Sequence, residues 1–278
     1  MIKLDVPLPA FTAKTFFLQC VNGYKTQKKR DQLSAAADIV EDDATEYANL
    51  VPTQSFTCSP LPGKLTDKDM LNLYENQLVS KKSNNRAYYD AIVNHGWMGR
   101  CPYCGVEAAS TLDHYLPKSL YPTTVVSPVN LLPCCMRCNH LKLDNDPPPD
   151  QAPIHAYLDQ FPEGIWLHVD LDAHLEATYR VECPAGWPQL MQDRLKNHME
   201  KFELDDLYQG CAAVEIAESK FLWEEDLQCS EDDLLYTIRR ARRSYERVDP
   251  NSWRSALYRA LENQLPHLVS YLQTKPTP

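Results

Sequence analysis

No stretch of this 278-residue chain holds the roughly 18 consecutive apolar residues that a membrane-spanning helix needs, so no membrane partner is expected. The first residues, Met1 to Lys14, lack a basic start leading into an apolar stretch; secretion is therefore not expected, and the chain is read as cytoplasmic. There is no internal repeat to suggest a solenoid or propeller. Positive charge is also scarce. With 28 Lys and Arg against 38 Asp and Glu, the net charge is −10, which argues against wholesale nucleic-acid binding. What remains is ordinary for a soluble globular protein: 44% hydrophobic and 24% charged residues, long enough for one or two domains with a real core.

Ten cysteines stand out against this background. In a chain not expected to be secreted, paired Cys-x-x-Cys spacing points to metal rather than disulfides. Two such pairs occur, Cys101-Pro102-Tyr103-Cys104 and Cys135-Met136-Arg137-Cys138. Four thiolates so spaced can close a tetrahedral Zn²⁺ site and hold rigidly whatever lies between them. Cys134 leaves the register of the second pair open. Cys135 is favoured because its two-residue gap matches the first pair and suits a helical turn after Pro133. Cys20, Cys58, Cys183, Cys211 and Cys229 are scattered, and most are expected to be buried small hydrophobes.

The enclosed thirty residues carry the Asp113-His114 dipeptide. An aspartate offers hard oxygens to Mg²⁺ or Mn²⁺, and a neutral imidazole can take a proton from water near pH 7. Neighbours on an ideal strand face opposite sides, so both serve one site only if the strand twists sharply or bulges. Asn130, just before Leu131-Leu132-Pro133, can bridge backbone groups and hold a loop in shape. Asn139 and Lys142 lie three apart and share a helix face, where Asn139 could reach a metal and Lys142 a phosphate. His140 is a second choice as ligand, because it sits about 100° further round the helix. Charge is also distributed unevenly. Between Lys81 and Asn145, seven basic residues oppose four acidic ones, leaving +3 there and −13 elsewhere. A polyanionic substrate would have to approach through this segment, unless a partner subunit supplies positive surface.

The flanks read mostly as helix. An alanine-rich piece spans Gln32 to Leu50, and Val51 to Gly63 with its three prolines reads as a linker. Thr66 is expected to cap a helix continuing through Leu78, and a second covers Arg86 to His95 and stops at Gly96. Pro147-Pro148-Pro149 closes the cysteine-bearing region, and alternation around Trp166 to Leu171 suggests one or two strands. Helices are expected over Pro188 to Phe202, Leu207 to Leu227, Glu231 to Val248 and Ser252 to Leu272, with Ser230 and Asp249-Pro250 as starts. Trp187, Trp223 and Trp253 read as core anchors. The run Arg239-Arg240-Ala241-Arg242-Arg243 reads first as ion-pair partners of Glu224, Glu225, Glu231, Asp232 or Asp233, and only second as a nucleic-acid contact.

Taken together, Cys-x-x-Cys, Asp-His-x-x-Pro-Lys-Ser and Asn-Leu-x-Pro-Cys-Cys-x-x-Cys-Asn-x-x-Lys resemble the HNH endonuclease family over roughly Arg100 to Leu143. The resemblance implies an α+β fold, predominantly helical, with a small zinc-stabilised ββα-metal module (86–146) between an N-terminal helical region (1–85) and a mostly helical C-terminal domain (147–278). It implies His114 as general base, Asn130 as loop organiser and Asn139 as the third family position, with His140 beside it leaving that position open by one residue. Asp113 and Asn139 match the holders of a catalytic Mg²⁺ or Mn²⁺, and Cys101, Cys104, Cys135 and Cys138 match structural zinc ligands. Lys118, Arg137 and Lys142 are the expected phosphate contacts. The implied activity is hydrolysis of DNA phosphodiester bonds, as an effector of a bacterial anti-phage defence or restriction system with an ATPase or sensor subunit as partner. A non-catalytic zinc module binding DNA or protein is the alternative.

Overall fold

The computed structural model describes residues 4–50, 56–144 and 146–274. The chain divides into two compact units, Ile2–Gln160 and Phe161–Pro278. In the first, α1 (Ala13–Val21), α2 (Gln27–Ser34), α3 (Ala37–Leu50), α4 (Asp67–Leu73) and α5 (Arg86–Val93) precede β1 (Thr111–His114), β2 (Leu131–Cys134) and α6 (Met136–Lys142). The second holds β3 (Leu167–Leu171) and β4 (Ala177–Val181), then α7 (Gln189–Lys201), α8 (Leu204–Cys229), α9 (Glu231–Glu246), α10 (Trp253–Asn263) and α11 (Leu265–Gln273). The fold is α+β and mostly helical, with two small antiparallel pairs, β1–β2 and β3–β4.

Local chemistry sets the helix boundaries. Thr66 caps α4 through a capping box, its hydroxyl accepting from the Asp69 amide while the Asp69 carboxylate accepts from the Thr66 amide. The helix expected to run on to Leu78 changes pitch at Tyr74 and continues to Val79 as a π-turn. Ser230 caps α9 as expected, but the start at Asp249-Pro250 moves to Ser252, whose hydroxyl accepts from the Ser255 amide. The single helix expected over Ser252 to Leu272 is two. Pro266 lacks an N–H and cannot continue the ladder from α10, so the chain restarts as α11 with the proline in its first turn. Nothing in the sequence pattern singles out α1, which buries Phe16, Phe17, Cys20 and Val21. Of the expected linker, residues 51–55, including Pro52, lie outside the described residues.

The core of the first unit explains how the cysteine-bearing region is held. Phe16, Phe17, Leu33, Val40, Met70, Leu73, Leu78 and Ile92 from the helices pack in one cluster with Leu112 of β1, Leu131 of β2, and Val125 and Val126 of the loop between those strands. The strands thus share their apolar interior with the N-terminal helices, in one compact unit. A buried carboxylate adds a directional tie. Asp43 on α3, 1% exposed, accepts from the Ser59 amide (2.9 Å), the Ser59 hydroxyl (2.6 Å) and the Thr123 hydroxyl (2.5 Å). Thr123 lies in the β1–β2 loop, so one side chain pins that loop to α3. Two expectations about scattered residues need correction. Of the five scattered cysteines only Cys20 is buried; Cys58, Cys183 and Cys211 are half-buried and Cys229 is exposed. Trp187 and Trp223 are core residues, whereas Trp253 is half-buried with the Arg254 guanidinium 4.8 Å from its ring centre. Asp43→Ala should lower the stability of the first unit by about 3 kcal/mol, since it strands buried donors, while Asp43→Asn should cost less. Denaturation followed by circular dichroism measures this, and equal stability of all three proteins would remove Asp43 from the account.

Candidate metal centre

A tight turn builds the first half of the centre. The Cys101 carbonyl accepts from the Gly105 amide (2.8 Å), and the Cys101 amide donates to the Glu107 carbonyl (2.8 Å). Gly105 sits at φ +68°, a left-handed position glycine adopts without strain. The second half is a helix start: Cys135 is the N-cap of α6, its sulfur accepting from the Cys138 amide (3.3 Å). The two halves converge. The sulfurs of Cys101, Cys104, Cys135 and Cys138, all buried, lie within 4.8 Å of one another. A tetrahedron with bonds of about 2.3 Å puts its sulfurs about 3.8 Å apart, so this donor set fits Zn²⁺.

The protons of the quartet point the same way. Hydrogen bonding from Cys104, then Cys134, holds the Cys101 thiol down to about 4, and Cys135 is likewise drawn toward thiolate, chiefly by Cys101. Cys104 and Cys138 are pushed well above the ordinary thiol value, each chiefly by its bond to Cys101. Thiols that perturb one another this strongly form a compact donor set, from which a divalent cation would displace the protons on binding. Cys134 stands outside the quartet; its thiol donates to the Cys135 carbonyl (3.2 Å). The register left open by the sequence is therefore resolved in favour of Cys135.

Next to this centre, β1 and β2 pair without interruption, from Thr111 opposite Cys134 to His114 opposite Leu131. No bulge separates Asp113 from His114, and their side chains share no hydrogen-bond partner among the described residues. The His114 ring faces the loop: Nε2 donates to the Val125 carbonyl (2.8 Å), and the Tyr74 ring meets it edge-on with centroids 4.4 Å apart. Burial pushes the His114 pKa down to about 3, so the ring is neutral with its lone pair on Nδ1. That nitrogen has no hydrogen-bond partner among the described residues. The loop that presents Val125 is held from inside. Asn130, fully buried, accepts from the Leu116 amide (2.7 Å) and donates to the Leu116 carbonyl (3.3 Å) and the Thr124 hydroxyl (3.1 Å).

Asp113 looks the other way. One carboxylate oxygen accepts from the Tyr103 hydroxyl (2.7 Å), and the other pairs with the Lys142 ammonium (3.2 Å), which also donates to the His114 carbonyl (2.7 Å). Lys142 is only 4% exposed, so its expected contact with phosphate is corrected: it is an internal counter-ion, because α6 aims it back at β1. Asn139, one turn earlier on α6, is half-buried and its carboxamide bonds to no described residue, while His140 is exposed. Of the other two expected phosphate contacts, Arg137 is half-buried on α6. Lys118 is half-exposed, 3.9 Å from Glu75 and 5.6 Å from the Tyr74 ring centre. Asp113 and Asn139 offer the oxygen donors a hard cation prefers, but the carboxylate is already neutralised and hydrogen-bonded. As arranged, it does not fit an open Mg²⁺ or Mn²⁺ site.

Three contributors escape the sequence reading. Tyr103 carries the position of the Cys101–Gly105 turn directly to Asp113, and its place inside the first Cys-x-x-Cys is the available signal. Tyr74 and Val125 reach His114 from elements with no local motif; the π-turn at Tyr74 is of a kind frequent at functional sites.

The chain is similar to protein ea31 of Escherichia phage lambda. The two are 29% identical over 231 residues, a match covering 77% of each chain. No family model matches the chain, and no solved structure matches it. Among the described residues, no helix is long and apolar enough to cross a membrane.

The metal assignment makes a paired prediction. Cys135→Ser should abolish stoichiometric zinc and destabilise the first unit, while Cys134→Ser should retain one zinc per chain, both read by elemental analysis of purified protein. The reverse pattern would move the ligand to Cys134.

Proposed function

We propose that the first unit is an HNH-type nuclease module that hydrolyses phosphodiester bonds of DNA, with His114 as the base. One observation carries the reading. A neutral imidazole at the end of β1, its tautomer fixed by the Val125 carbonyl of a loop that Asn130 and Asp43 both anchor, leaves Nδ1 as a proton acceptor. A ring so held is oriented before substrate arrives, which favours general-base catalysis of water attack on phosphorus; the burial that keeps it neutral also weakens it as a base, so a bound phosphate would have to raise its pKa toward neutrality. The cysteine quartet would hold Zn²⁺ as a structural ion, fixing the ends of the two strands and the start of α6 relative to one another. The Mg²⁺ or Mn²⁺ that the motif resemblance would place on Asp113 and Asn139 does not fit a carboxylate already held by Lys142 and Tyr103, and the reading gives that ion no part. The acidic surplus outside the module is the reason to keep a controlling ATPase or sensor subunit within this reading.

The buried Asp113–Lys142 pair favours a second reading, a zinc-stapled module that binds a partner without cleaving it. One assay separates them. Zinc-loaded protein is incubated with supercoiled plasmid and with a labelled single strand, with Mg²⁺, with Mn²⁺ and with neither. The nuclease reading expects cleavage that falls by about 100-fold or more in His114→Ala, zinc content being unchanged. No cleavage by wild type under any condition selects the second reading, and equal cleavage by the variant removes His114 as the base.

A further inference from the structure

The run Arg239 to Arg243 does not pair as its neighbours in sequence suggest. Arg239 and Arg242 reach Glu262 on α10 (2.7 and 2.6 Å), and Arg242 also reaches Glu246 (3.0 Å). The acidic residues at the start of α9 and the end of α8 are not their partners. Arg240, Arg243 and Arg247 are exposed and make no ion pair among the described residues. Their spacing explains why. Leu234 and Ile238 define the buried side of α9, and positions 236, 240, 243 and 247 fall on the opposite side at about 100° per residue. These residues line one shallow groove together with Arg239, and Asp232 is its one carboxylate. Tyr236, 66% exposed, lies in the same groove.

Such a stripe is costly to leave bare. Like charges three and four apart on a helix repel one another. In a chain of net charge −10, with acidic residues available nearby, three arginines with no acidic partner invite an external polyanion.

We propose that the outward side of α9 binds the phosphate backbone of nucleic acid through Arg240, Arg243 and Arg247, with Tyr236 offering a ring face to a base. Seven residues of helix separate the first and last arginine by about 10 Å. That is about three backbone steps of one strand of a duplex at about 3.4 Å of axis each. Planar guanidinium groups suit phosphate oxygens, and an exposed aromatic beside them is the pairing that single-strand surfaces use. An acidic polypeptide would satisfy the charge but gives Tyr236 no comparable partner. The surface is a different one from the nuclease module and does not depend on that reading.

Fluorescence anisotropy with a labelled single-stranded oligonucleotide and its duplex, without added divalent cation and over a range of salt, tests this on the full chain. The wild type should bind with an affinity that falls steeply as salt rises. The triple variant Arg240→Gln, Arg243→Gln, Arg247→Gln should bind at least tenfold more weakly at low salt, and its slope of log affinity against log salt should be shallower by about 2 to 3. These positions are exposed, so the variant's circular dichroism should match the wild type. His114→Ala should bind like the wild type, which separates failure here from failure of the nuclease assignment. Unchanged affinity and slope in the triple variant would overturn the proposal. So would a wild type that binds polyglutamate but neither oligonucleotide.

Discussion

Four sulfur atoms meeting in one buried pocket determine the rest of the candidate site. Cys101 and Cys104 come from a turn before β1, and Cys135 and Cys138 from the step between β2 and α6. Bringing them together fixes both strand ends and the first turn of the helix at once. The strands are only four residues long, too short to hold register alone. Two supports replace length: the metal-type clamp at one end and the apolar cluster shared with the N-terminal helices along the interior. The loop between the strands inherits its position from both.

From this frame the polar interior follows as a set of oriented bonds. Tyr103 connects the clamp to Asp113, Lys142 connects Asp113 to α6, Asn130 closes the loop, and Asp43 ties it to α3. The buried Asp113–Lys142 pair contributes little net stability, because desolvation offsets most of the attraction. Its effect is geometric: the ammonium links α6 to the Asp113 carboxylate and to the His114 carbonyl of β1. His114 sits across the strand, neutral because it is buried, and held by a carbonyl rather than a charge.

Much of this arrangement is legible in the amino-acid sequence. Cysteine spacing names Cys101, Cys104 and Cys138 and favours Cys135 over Cys134 as the fourth, because metal-ligand geometry is local. The role of Asn130 is readable for a related reason, a carboxamide beside a turn having few other uses. Helix positions follow from apolar spacing and caps, and Thr66 and Ser230 are where their chemistry places them. What the residues do not convey is long-range or cooperative. Lys142 reads as solvent-facing because its spacing shows only that it shares a side of the helix with Asn139, not that β1 lies under that side. A shared site for Asp113 and His114 would require a sharp twist or a bulge there, no residue favours a bulge, and the strand pairs through without one. Tyr74 and Asp43 act across 40 and 80 residues of sequence, to His114 and Thr123, and carry no local signature. Proximity along the chain matches the arginines of α9 with the wrong carboxylates, whereas packing against α10 supplies Glu262 instead.

The most direct test of the central claim is X-ray absorption at the zinc edge on the purified full-length chain. The account predicts one zinc per chain with four sulfur neighbours at about 2.3 Å. A folded chain that carries no zinc, or one whose zinc is surrounded by nitrogen and oxygen, would contradict it.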